Sequence, residues 1–281
     1  MQKRSNRWIL FTTMFFLLFN VGQVSQAQQI EFVQKNNVSL TQLPSNTVEG
    51  VVELTGTTDQ NKIKILLKKD NIQKWFDVQL DDGRFHEALW LTDGKGAYTI
   101  SIMVHEKDRN YRYGPSINII NIQEVNKYLV PTKHVESTNE VVVSLSKAIT
   151  KNQKTDRRKA KSIYDWVVNN IRYDFDKFNE HQNKNYDHLY GALNTLKTKK
   201  GVCYDYASLT AALGRAAGLQ VKMIKGEGIT NVYKGLHAWN EIYIADEKKW
   251  ISVDTTFGST SNKNFFDSSG FDKTHIQQGE Y

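Results

Sequence analysis

Lys-Gly-Val-Cys-Tyr-Asp-Tyr-Ala-Ser-Leu-Thr-Ala-Ala-Leu-Gly-Arg-Ala-Ala-Gly, residues 200–218, is the stretch around which the chain is organised. Alanine and leucine recur along it at three- and four-residue steps, which predicts a helix that begins near Cys203. Gly218 follows the last periodic residue, and a glycine at this place commonly adopts the left-handed conformation that ends a helix. The stretch therefore predicts a helix with a cysteine in its first turn.

Cys203 is the only cysteine of the chain. A thiol in the first turn of a helix lies at the positive end of the helix dipole and near unpaired N–H groups. Both favour the thiolate, which is the nucleophilic form of cysteine. The alternative is a buried thiol that acts only as a small apolar side chain. Position alone does not decide between these two interpretations.

The first 27 residues have the features of a secretory signal peptide. Three basic residues (Lys3, Arg4 and Arg7) precede an apolar run from Trp8 to Phe19, which is shorter than an ordinary membrane span. Ser25-Gln26-Ala27 places small residues at the two positions that a signal peptidase recognises, with a retained membrane anchor as the alternative. We therefore expect a bacterial protein that is secreted or associated with the cell envelope, and that contacts the membrane only through its signal segment during export.

Export and charge restrict the possible functions. Structural cysteines outside the cytosol usually pair, so a single one forms an intermolecular bridge or is a reactive thiol. A zinc ribbon needs more cysteines than this chain has, and we expect neither a metal nor a cofactor. The formal charge of +7 falls to +4 without the three basic residues of the signal segment. No nucleic-acid-binding motif accompanies this charge, so we expect no nucleic-acid partner.

Residues 28–122 are predicted to form an all-β sandwich of immunoglobulin-like kind. Short alternating segments separated by turns rich in Asp, Asn and Gly predict the strands 48–54, 63–67, 75–80, 85–91, 98–104 and 117–122. Six short strands within a segment of this length are typical of an antiparallel β-sandwich. We expect this domain to position the second one or to bind substrate, and a simple spacer is the alternative. Residues 123–136, which contain Pro131, are predicted to be a linker.

Residues 137–281 combine helices and strands. Ser137 and Glu140 have the spacing of a capping box and predict the start of a first helix. Asp156 is expected to cap a second helix, whose apolar side chains continue to Ile171 at helical spacing. A polar loop is predicted up to about Asp187. A shorter helix from Leu189 to Leu196 is predicted before the cysteine helix.

The pattern changes from helical to alternating after the cysteine helix. A strand at 219–224 and a polar loop at 226–234 are predicted to precede two strands, 236–244 and 249–256. A turn this short makes the last two strands antiparallel neighbours. If the loop holds an even number of residues, Trp239 faces Asp254 and His237 faces Thr256. His237 and Asp254 then share a face, about 7–8 Å apart at the backbone.

An odd loop would place His237 and Asp254 on opposite faces of the hairpin. On one face, the carboxylate would fix the tautomer of the imidazole and stabilise its charged form. The alternative for each residue is an ordinary strand residue without a chemical role. A hairpin of this kind, in a chain with one exported thiol, points to a cysteine–histidine site.

From about residue 139 to the end, the chain resembles the transglutaminase-like superfamily, in particular its bacterial secreted members. The resemblance is carried by four segments: Ile163-Tyr164-Asp165-Trp166, Gly201-Val202-Cys203-Tyr204-Asp205-Tyr206-Ala207, His237-Ala238-Trp239-Asn240 and Trp250-Ile251-Ser252-Val253-Asp254-Thr255-Thr256. It implies an α+β, papain-like transglutaminase core, in which the cysteine helix packs against an antiparallel sheet. It also implies that Cys203 is the nucleophile, His237 the base and Asp254 the orienting carboxylate.

The resemblance implies acyl transfer through a thioester. The thiolate would attack a carboxamide of a protein or peptide, cell-wall peptide among them, and a primary amine or water would accept the acyl group. The backbone N–H of Cys203 would stabilise the oxyanion, with Tyr173, Tyr190 and Tyr204 as candidates for a second donor. Calcium dependence, known for the animal enzymes, has no acidic cluster here to support it.

Three functions remain open on the sequence. The first is an exported thiol acyltransferase or amidase, and the second is a cysteine protease or cell-wall peptide amidase with the same triad. The third is a non-catalytic binding or assembly module that retains the fold. Papain-type proteases usually carry asparagine where this chain has Asp254. Peptide-glycanases carry zinc-binding cysteines, and arylamine acetyltransferases are usually cytosolic, which the signal segment opposes.

Overall fold

The computed structural model of the protein describes residues 32–261 and 263–281, so the predicted signal segment lies outside the described residues. The first part of the described chain is all β. Its strands are β1 (Phe32–Lys35), β2 (Val38–Thr41), β3 (Thr47–Val48), β4 (Val51–Thr58), β5 (Ile63–Lys69), β6 (Ile72–Asp77), β7 (Arg84–Trp90), β8 (Gly96–His105) and β9 (Tyr111–Asn121). They form two sheets, with the strand orders β1-β2-β4-β7 and β3-β9-β8-β5-β6.

The two sheets enclose one hydrophobic cluster. Strand β4 alternates buried Val52 and Leu54 with exposed Glu53 and Thr55, as expected when one face of a strand is covered. The cluster draws its side chains from both sheets, with Leu40 and Leu54 from one and Ile65, Ile100 and Ile102 from the other. The predicted all-β character of this region is therefore confirmed.

Two strands differ from their predicted limits at positions that contain glycine or proline. Strand β9 begins at Tyr111 and continues through Gly114 and Pro115. The pairing of β8 with β9 shifts between Ser101 and Met103, and this bulge accommodates the irregular backbone. The predicted strand 48–54 is divided at Gly50, whose φ is +80°. The sequence analysis did not predict β1 and β2.

The segment predicted to be a linker packs against the second half of the chain. The carbonyl of Tyr128 accepts a hydrogen bond from Val221 N at 3.0 Å. The carbonyl of Val130 accepts one from Arg215 Nη1 at 2.7 Å, and Val135 is buried. Residues 128–135 therefore belong to the packed surface of the second region.

The second region combines helices with a four-stranded antiparallel sheet. Its elements are α1 (Glu140–Thr150), α2 (Asp156–Asn170), β10 (Arg172–Tyr173), α3 (Phe175–Gln182), α4 (Ala192–Thr198), β11 (Lys200–Gly201), α5 (Cys203–Ala216), β12 (Val221–Ile229), β13 (Lys234–Ile244), β14 (Lys249–Val253), α6 (Thr255–Thr260) and β15 (His275–Glu280). The sheet order is β14-β13-β12-β15. Helix α5 lies between this sheet and the other helices and shares their hydrophobic cluster.

Two helices are capped by residues other than the predicted ones. Asn139 caps α1 through its side chain, which accepts from Val141 N at 3.0 Å, whereas Ser137 lies outside the helix. Thr155 caps α2 in the same way, so the predicted cap Asp156 is the first helical residue. Neighbouring residues of cap type compete for such a position, and the chain direction at the helix entry decides between them.

Helix α3 was predicted to be loop because its sequence, Phe-Asp-Lys-Phe-Asn-Glu-His-Gln, is mostly polar. Asp174 caps it by accepting from Lys177 N at 3.1 Å. Leu189, predicted to be helical, precedes α4 and is 77% exposed. Gly191 starts α4 with a φ of +104°, a conformation that favours glycine.

Strand β12 continues through Gly226 and Gly228, where a polar loop was predicted. A Cβ at Gly226 would lie 2.7 Å from the Trp239 ring, and one at Gly228 would lie 2.8 Å from the His237 ring. These glycines therefore make room for two rings of the neighbouring strand and do not form a turn. Strand β14 ends at Val253 instead of the predicted Thr256, because Asp254 begins α6.

In the part of the chain that the structure describes, no helix has the length and apolar character of a membrane span.

Candidate active site

Cys203 is the first residue of α5, and its thiol is unpaired and partly exposed. From Asp205 to Arg215 the helix is buried throughout. The cysteine therefore stands at the end of a buried helix where that helix reaches the surface. The N–H groups of a first helical turn have no acceptor within the helix, so the Cys203 amide is available to a bound ligand.

A buried ion pair anchors the start of α5. The Asp205 carboxylate accepts hydrogen bonds from Val202 N at 3.0 Å, Gly191 N at 3.2 Å and Lys177 Nζ at 2.8 Å. Lys177 also donates to the carbonyl of Leu189 at 2.9 Å. The pair ties α3 and the loop before α4 to the turn that carries Cys203.

His237 and Asp254 are brought together by the β13–β14 hairpin. Asn240 lies opposite Val253, which is the register expected for an even loop. His237 Nε2 lies 2.8 Å from Asp254 Oδ2, and both side chains are buried. Thr256 does not face His237 across a ladder, because it lies in α6. The Asp254 Oδ1 atom caps that helix by accepting from the N–H groups of Thr256 (2.8 Å) and Phe257 (3.1 Å).

The electrostatics of the pair favour two opposite charges. Burial alone would lower the pKa of His237, but the Asp254 carboxylate and contact with Cys203 raise it to about 10. Burial alone would raise the pKa of Asp254, but His237 and a second histidine, His275, hold it well below its ordinary range. At neutral pH the buried carboxylate is therefore ionised and the His237 imidazole is protonated. Because Asp254 occupies Nε2, Nδ1 is the ring nitrogen left for Cys203.

Packing fixes the plane of the His237 ring. It stacks on Phe257, with centroids 4.3 Å apart and an angle of 19° between the planes. Gly228 of the neighbouring strand lies so close to the His237 ring that a side chain there would collide with it. Stacking, the hydrogen bond to Asp254 and the contact with Cys203 together leave the imidazole one orientation.

The sequence analysis did not find His275. Its Nε2 lies 3.0 Å from Asp254 Oδ2, the oxygen that also contacts His237. His275 follows Asp254 by 21 residues (254 to 275) and lies outside the four family-like segments. It reaches the site because β15 pairs with β12, and no local periodicity reports such a pairing.

His237, Asp254 and His275 are also the group of side chains that could hold a metal ion, with donor atoms within 4.8 Å of one another. Asp254 Oδ2 already lies at hydrogen-bond distance from both imidazoles, and Oδ1 is taken up by the backbone of α6. These contacts satisfy the carboxylate fully. We therefore interpret the group as a hydrogen-bonded cluster in which Asp254 orients the two imidazoles.

The three tyrosines predicted as oxyanion donors differ in what their hydroxyl groups contact. Tyr190 Oη lies 2.9 Å from His181 Nε2, and Tyr204 Oη lies 2.9 Å from His134 Nδ1. The Tyr173 hydroxyl has no hydrogen-bond partner among the described residues. Burial, and secondly the charge of Cys203, raise the pKa of Tyr173. Of the three, Tyr173 alone combines closeness to the thiolate with a hydroxyl not engaged by another described side chain.

Two further tyrosines lie within electrostatic range of Cys203. The charge of Cys203 raises the pKa of Tyr233 and Tyr281 as well, in both cases after the larger effect of burial, which places these phenols near the thiol. Tyr233 packs against Phe178, and Tyr281 packs against Tyr204 with ring centroids 5.0 Å apart. Val232 and Leu236, on the strand entry to His237, are 97% and 77% exposed. The segment that leads into His237 thus exposes apolar side chains.

Comparison with known proteins places this region in a family context. The model of the Transglutaminase-like superfamily matches residues 143–255. A UPF0252 protein of Methanocaldococcus jannaschii is 36% identical over 104 residues, which cover 36% of this chain and 28% of that protein. Kyphoscoliosis peptidase of Homo sapiens is 31% identical over 113 residues, which cover 37% of this chain and 16% of that protein. The matched part is thus less than a third of either relative.

Among solved structures, a candidate cysteine protease from Cytophaga hutchinsonii aligns with 82% of this chain and 84% of its own. The TM-score of that alignment is 0.40, and the sequence identity is 16%.

Proposed function

Residues 143–255 belong to the transglutaminase-like superfamily, and on that premise we propose that the protein is an exported thiol acyltransferase or amidase that acts on carboxamide groups. One observation carries the proposal. Buried Asp254 holds His237 Nε2 at 2.8 Å, while the other edge of the same ring serves Cys203 at the start of α5. A nucleophile, a base and a group that orients the base are the parts that covalent acyl transfer needs.

In the first half-reaction, the Cys203 thiolate attacks the carbonyl carbon of a carboxamide and forms a tetrahedral intermediate. Protonated His237 donates its Nδ1 proton to the leaving nitrogen, and the C–N bond breaks. Ammonia or an amine departs, and the acyl group remains on Sγ as a thioester. Asp254 keeps its charge during this step and stabilises the imidazolium.

In the second half-reaction, neutral His237 takes a proton from a primary amine or from water as that acceptor attacks the thioester. The C–S bond breaks, and the Cys203 thiolate with protonated His237 is restored. An amine acceptor gives a crosslinked or modified product, whereas water gives a carboxylic acid. No metal or cofactor takes part in this scheme.

The oxyanion of both tetrahedral intermediates needs hydrogen-bond donors at the start of α5. The Cys203 amide is one, because a residue at the first helical position has no acceptor within the helix. We assign the Tyr173 hydroxyl as the second, because it lies near the thiolate and has no competing partner among the described residues. A donor of this kind contributes roughly 10²–10³-fold to turnover.

The surroundings of Cys203 favour a protein or peptide acyl donor, with cell-wall peptide as one such substrate. Tyr233 and Tyr281 lie within electrostatic range of the thiol, and the Tyr233 hydroxyl donates to the carbonyl of exposed Leu236 at 2.6 Å. Rings and apolar side chains of this kind bind the neutral part of an extended peptide better than they bind a densely charged ligand. We therefore place an apolar or aromatic residue of the donor next to its reactive carboxamide.

A cysteine protease or cell-wall peptide amidase is the second candidate, because one relative at 31% identity is a peptidase by name. The two candidates share the acyl-enzyme, but a protease cleaves a peptide bond, releases a peptide amine and uses water as the acceptor. A non-catalytic binding module is the third candidate, and it predicts that the thiol can be removed without loss of function.

The proposal also assigns a role to the β region and to the predicted signal segment. The two sheets that share one hydrophobic cluster fit an immunoglobulin-like sandwich, which would position the papain-like region against its substrate. Secretion or attachment to the cell envelope would give an unpaired thiol enzyme access to wall peptides and exported proteins.

The decisive experiment uses the full chain with casein as acyl donor and dansylcadaverine as primary amine. Acyl transfer predicts fluorescent casein together with release of ammonia. Hydrolysis of side-chain carboxamides predicts ammonia without incorporation, and proteolysis predicts casein fragments without ammonia. Cys203→Ala and His237→Ala are expected to abolish all of these products. If wild-type protein yields none of them and its Cys203 reacts with iodoacetamide no faster in the folded than in the unfolded protein, the binding-module interpretation replaces the enzyme.

A further inference from the structure

The Asp254 carboxylate receives more hydrogen bonds than a Cys–His–Asp triad requires. Oδ1 accepts from the N–H groups of Thr256 and Phe257, and Oδ2 lies 2.8 Å from His237 Nε2. The remaining position on Oδ2 is filled by His275 Nε2 at 3.0 Å. Asp254 is fully buried, so no solvent could replace that last contact without reorganisation.

His275, like the carboxylate that it contacts, is buried and has several packing and hydrogen-bond contacts. Its ring is buried and stacks on Phe271, with centroids 3.8 Å apart and an angle of 14° between the planes. Its Nδ1 atom lies 2.8 Å from Thr274 Oγ1 and 3.1 Å from the Phe271 carbonyl. Contacts on both edges and one face therefore fix the position of Nε2 relative to Asp254.

Backbone pairing connects the two histidines. Gly228 of β12 is the ladder partner of His275 on β15. The same glycine leaves the space into which the His237 ring projects from β13. The sheet thus places two imidazoles, with ring centroids 5.6 Å apart, beside one carboxylate, and both Nε2 atoms lie at hydrogen-bond distance from the same oxygen.

We propose that His275 is a positioning residue, which holds the Asp254 carboxylate in the rotamer that orients His237 toward Cys203. This inference rests on the proposed function, because it assigns His275 a part in the same site. An ionised carboxylate accepts and cannot donate, so Nε2 of His275 carries the proton of this hydrogen bond. That bond withdraws electron density from Oδ2 and opposes movement of the His237 proton onto Asp254.

Two substitutions with opposite expected results separate a hydrogen-bonding role from packing. His275→Phe keeps a flat ring against Phe271 but removes the donor. His275→Gln loses the ring but can present an N–H group at nearly the position of Nε2. A positioning role predicts loss of function in the Phe variant and retention in the Gln variant, and a packing role predicts the reverse.

The primary measurement is the rate of Cys203 alkylation by iodoacetamide at pH 7 in the full chain, which does not depend on an identified substrate. We expect His275→Phe to lower the rate about tenfold or more, because a hydrogen bond to a buried charge is lost. His275→Gln should remain within about threefold of wild type. With casein and dansylcadaverine, the Phe variant should lose kcat and keep its KM. His86→Phe is the matched control, since His86 is exposed on the β region.

The alkylation rates distinguish failure of the inference about His275 from failure of the proposed function. If His237→Ala slows alkylation but His275→Phe does not, the inference about His275 is wrong and the triad stands. If neither substitution changes the rate, the triad itself is not assembled, and the inference fails with it. If His275→Phe does not fold, His275→Asn replaces it, because asparagine is too short to reach Asp254. Equal rates for the Asn and Gln variants would then overturn the inference.

Discussion

The β region (residues 32–121) and the second region (residues 137–281) bury different kinds of side chain. In the described part of the β region, the buried polar side chains are Ser101 and Asn121, and the remaining core is hydrophobic. The second region buries Lys177, Asp205, Arg215 and Asp254 as well as two histidines of the site. Burying a charge costs free energy unless it is paired. The second region therefore carries a desolvation cost that pairing or function must offset, whereas the core of the β region is almost wholly hydrophobic.

Pairing in the second region is consistent with that interpretation. Lys177 and Asp205 neutralise each other, and Asp254 lies between two imidazoles. Arg215 has no carboxylate partner among the described residues, and it donates to the carbonyls of Val130 and Val221. Burial lowers the pKa of Arg215 to about 10. Each buried charge thus holds a backbone segment or a reacting group at a defined place.

The substitution with the largest expected effect tests whether activity depends on side chains that contribute little to stability. Cys203→Ala should lower turnover of casein by on the order of 10³-fold or more. The same substitution should change the free energy of unfolding by about 0.5 kcal/mol or less, since the thiol is partly exposed. Turnover with dansylcadaverine and urea unfolding are the two measurements.

Leu54→Ala is the matched substitution in the β region, where Leu54 is fully buried. It should destabilise by about 2–5 kcal/mol, because a cavity is left in the core, and should leave kcat unchanged. Loss of kcat in this variant at a temperature where it remains folded would show that the comparison between the regions is wrong.

The next two substitutions compare the two regions by removing the cation of one ion pair in each. Lys177→Met leaves the Asp205 carboxylate buried without its cation, which should cost about 3–5 kcal/mol in unfolding free energy. Lys64→Met in the β region removes a cation from Asp77 that is largely in solvent, and should cost about 1 kcal/mol or less. Urea unfolding of both variants makes the comparison, and equal losses would contradict it.

The last test of the comparison is the pH dependence of the His237 contribution to stability. The pKa of His237 in the folded protein is about 10, against an ordinary value of 6.5. Its stabilising contribution is therefore fully present below about pH 6.5 and is lost as the pH rises toward 10. The difference in unfolding free energy between wild type and His237→Gln should shrink over that interval. Urea unfolding at several pH values measures this difference.

At acidic pH, the contribution of Asp254 to stability should be lost as the pH falls, whereas that of His237 is lost as the pH rises. The pKa of Asp254 is lowered from 3.8, so its contribution is present above that value and lost as the pH falls through the folded-state pKa. Leu54→Ala should show a constant difference from wild type over the same range. A His237 difference that grows with rising pH would contradict the assignment of a protonated imidazole beside Asp254.

The features that could be predicted from the sequence are those set by local periodicity. The Ala and Leu spacing of α5 predicted a helix from Cys203, and Gly218 has the expected positive φ of +81°. The short loop predicted an antiparallel hairpin, and the structure has the even one of the two registers considered, with His237 and Asp254 on the same side. These signals depend on neighbours in the chain, which the sequence displays directly.

The features that could not be predicted depend on partners distant in sequence. Gly226 and Gly228 indicated a loop, because the rings that need their space lie on another strand. Helix α3 was missed because its anchor, the ion pair between Lys177 and Asp205, spans 28 residues. His275 enters the site through a strand added at the far side of β12. Each of these required the sheet order, which no single segment encodes.

The buried course of α5 has a consequence for hydrogen exchange. From Asp205 to Arg215 the helix is enclosed on all sides, so its amides should exchange only through global unfolding. The turn before β13, where Val232 is almost fully exposed, should exchange through local opening. The nucleophile would then keep one position on the slowest-exchanging element, while the rim that meets the substrate adapts to its shape.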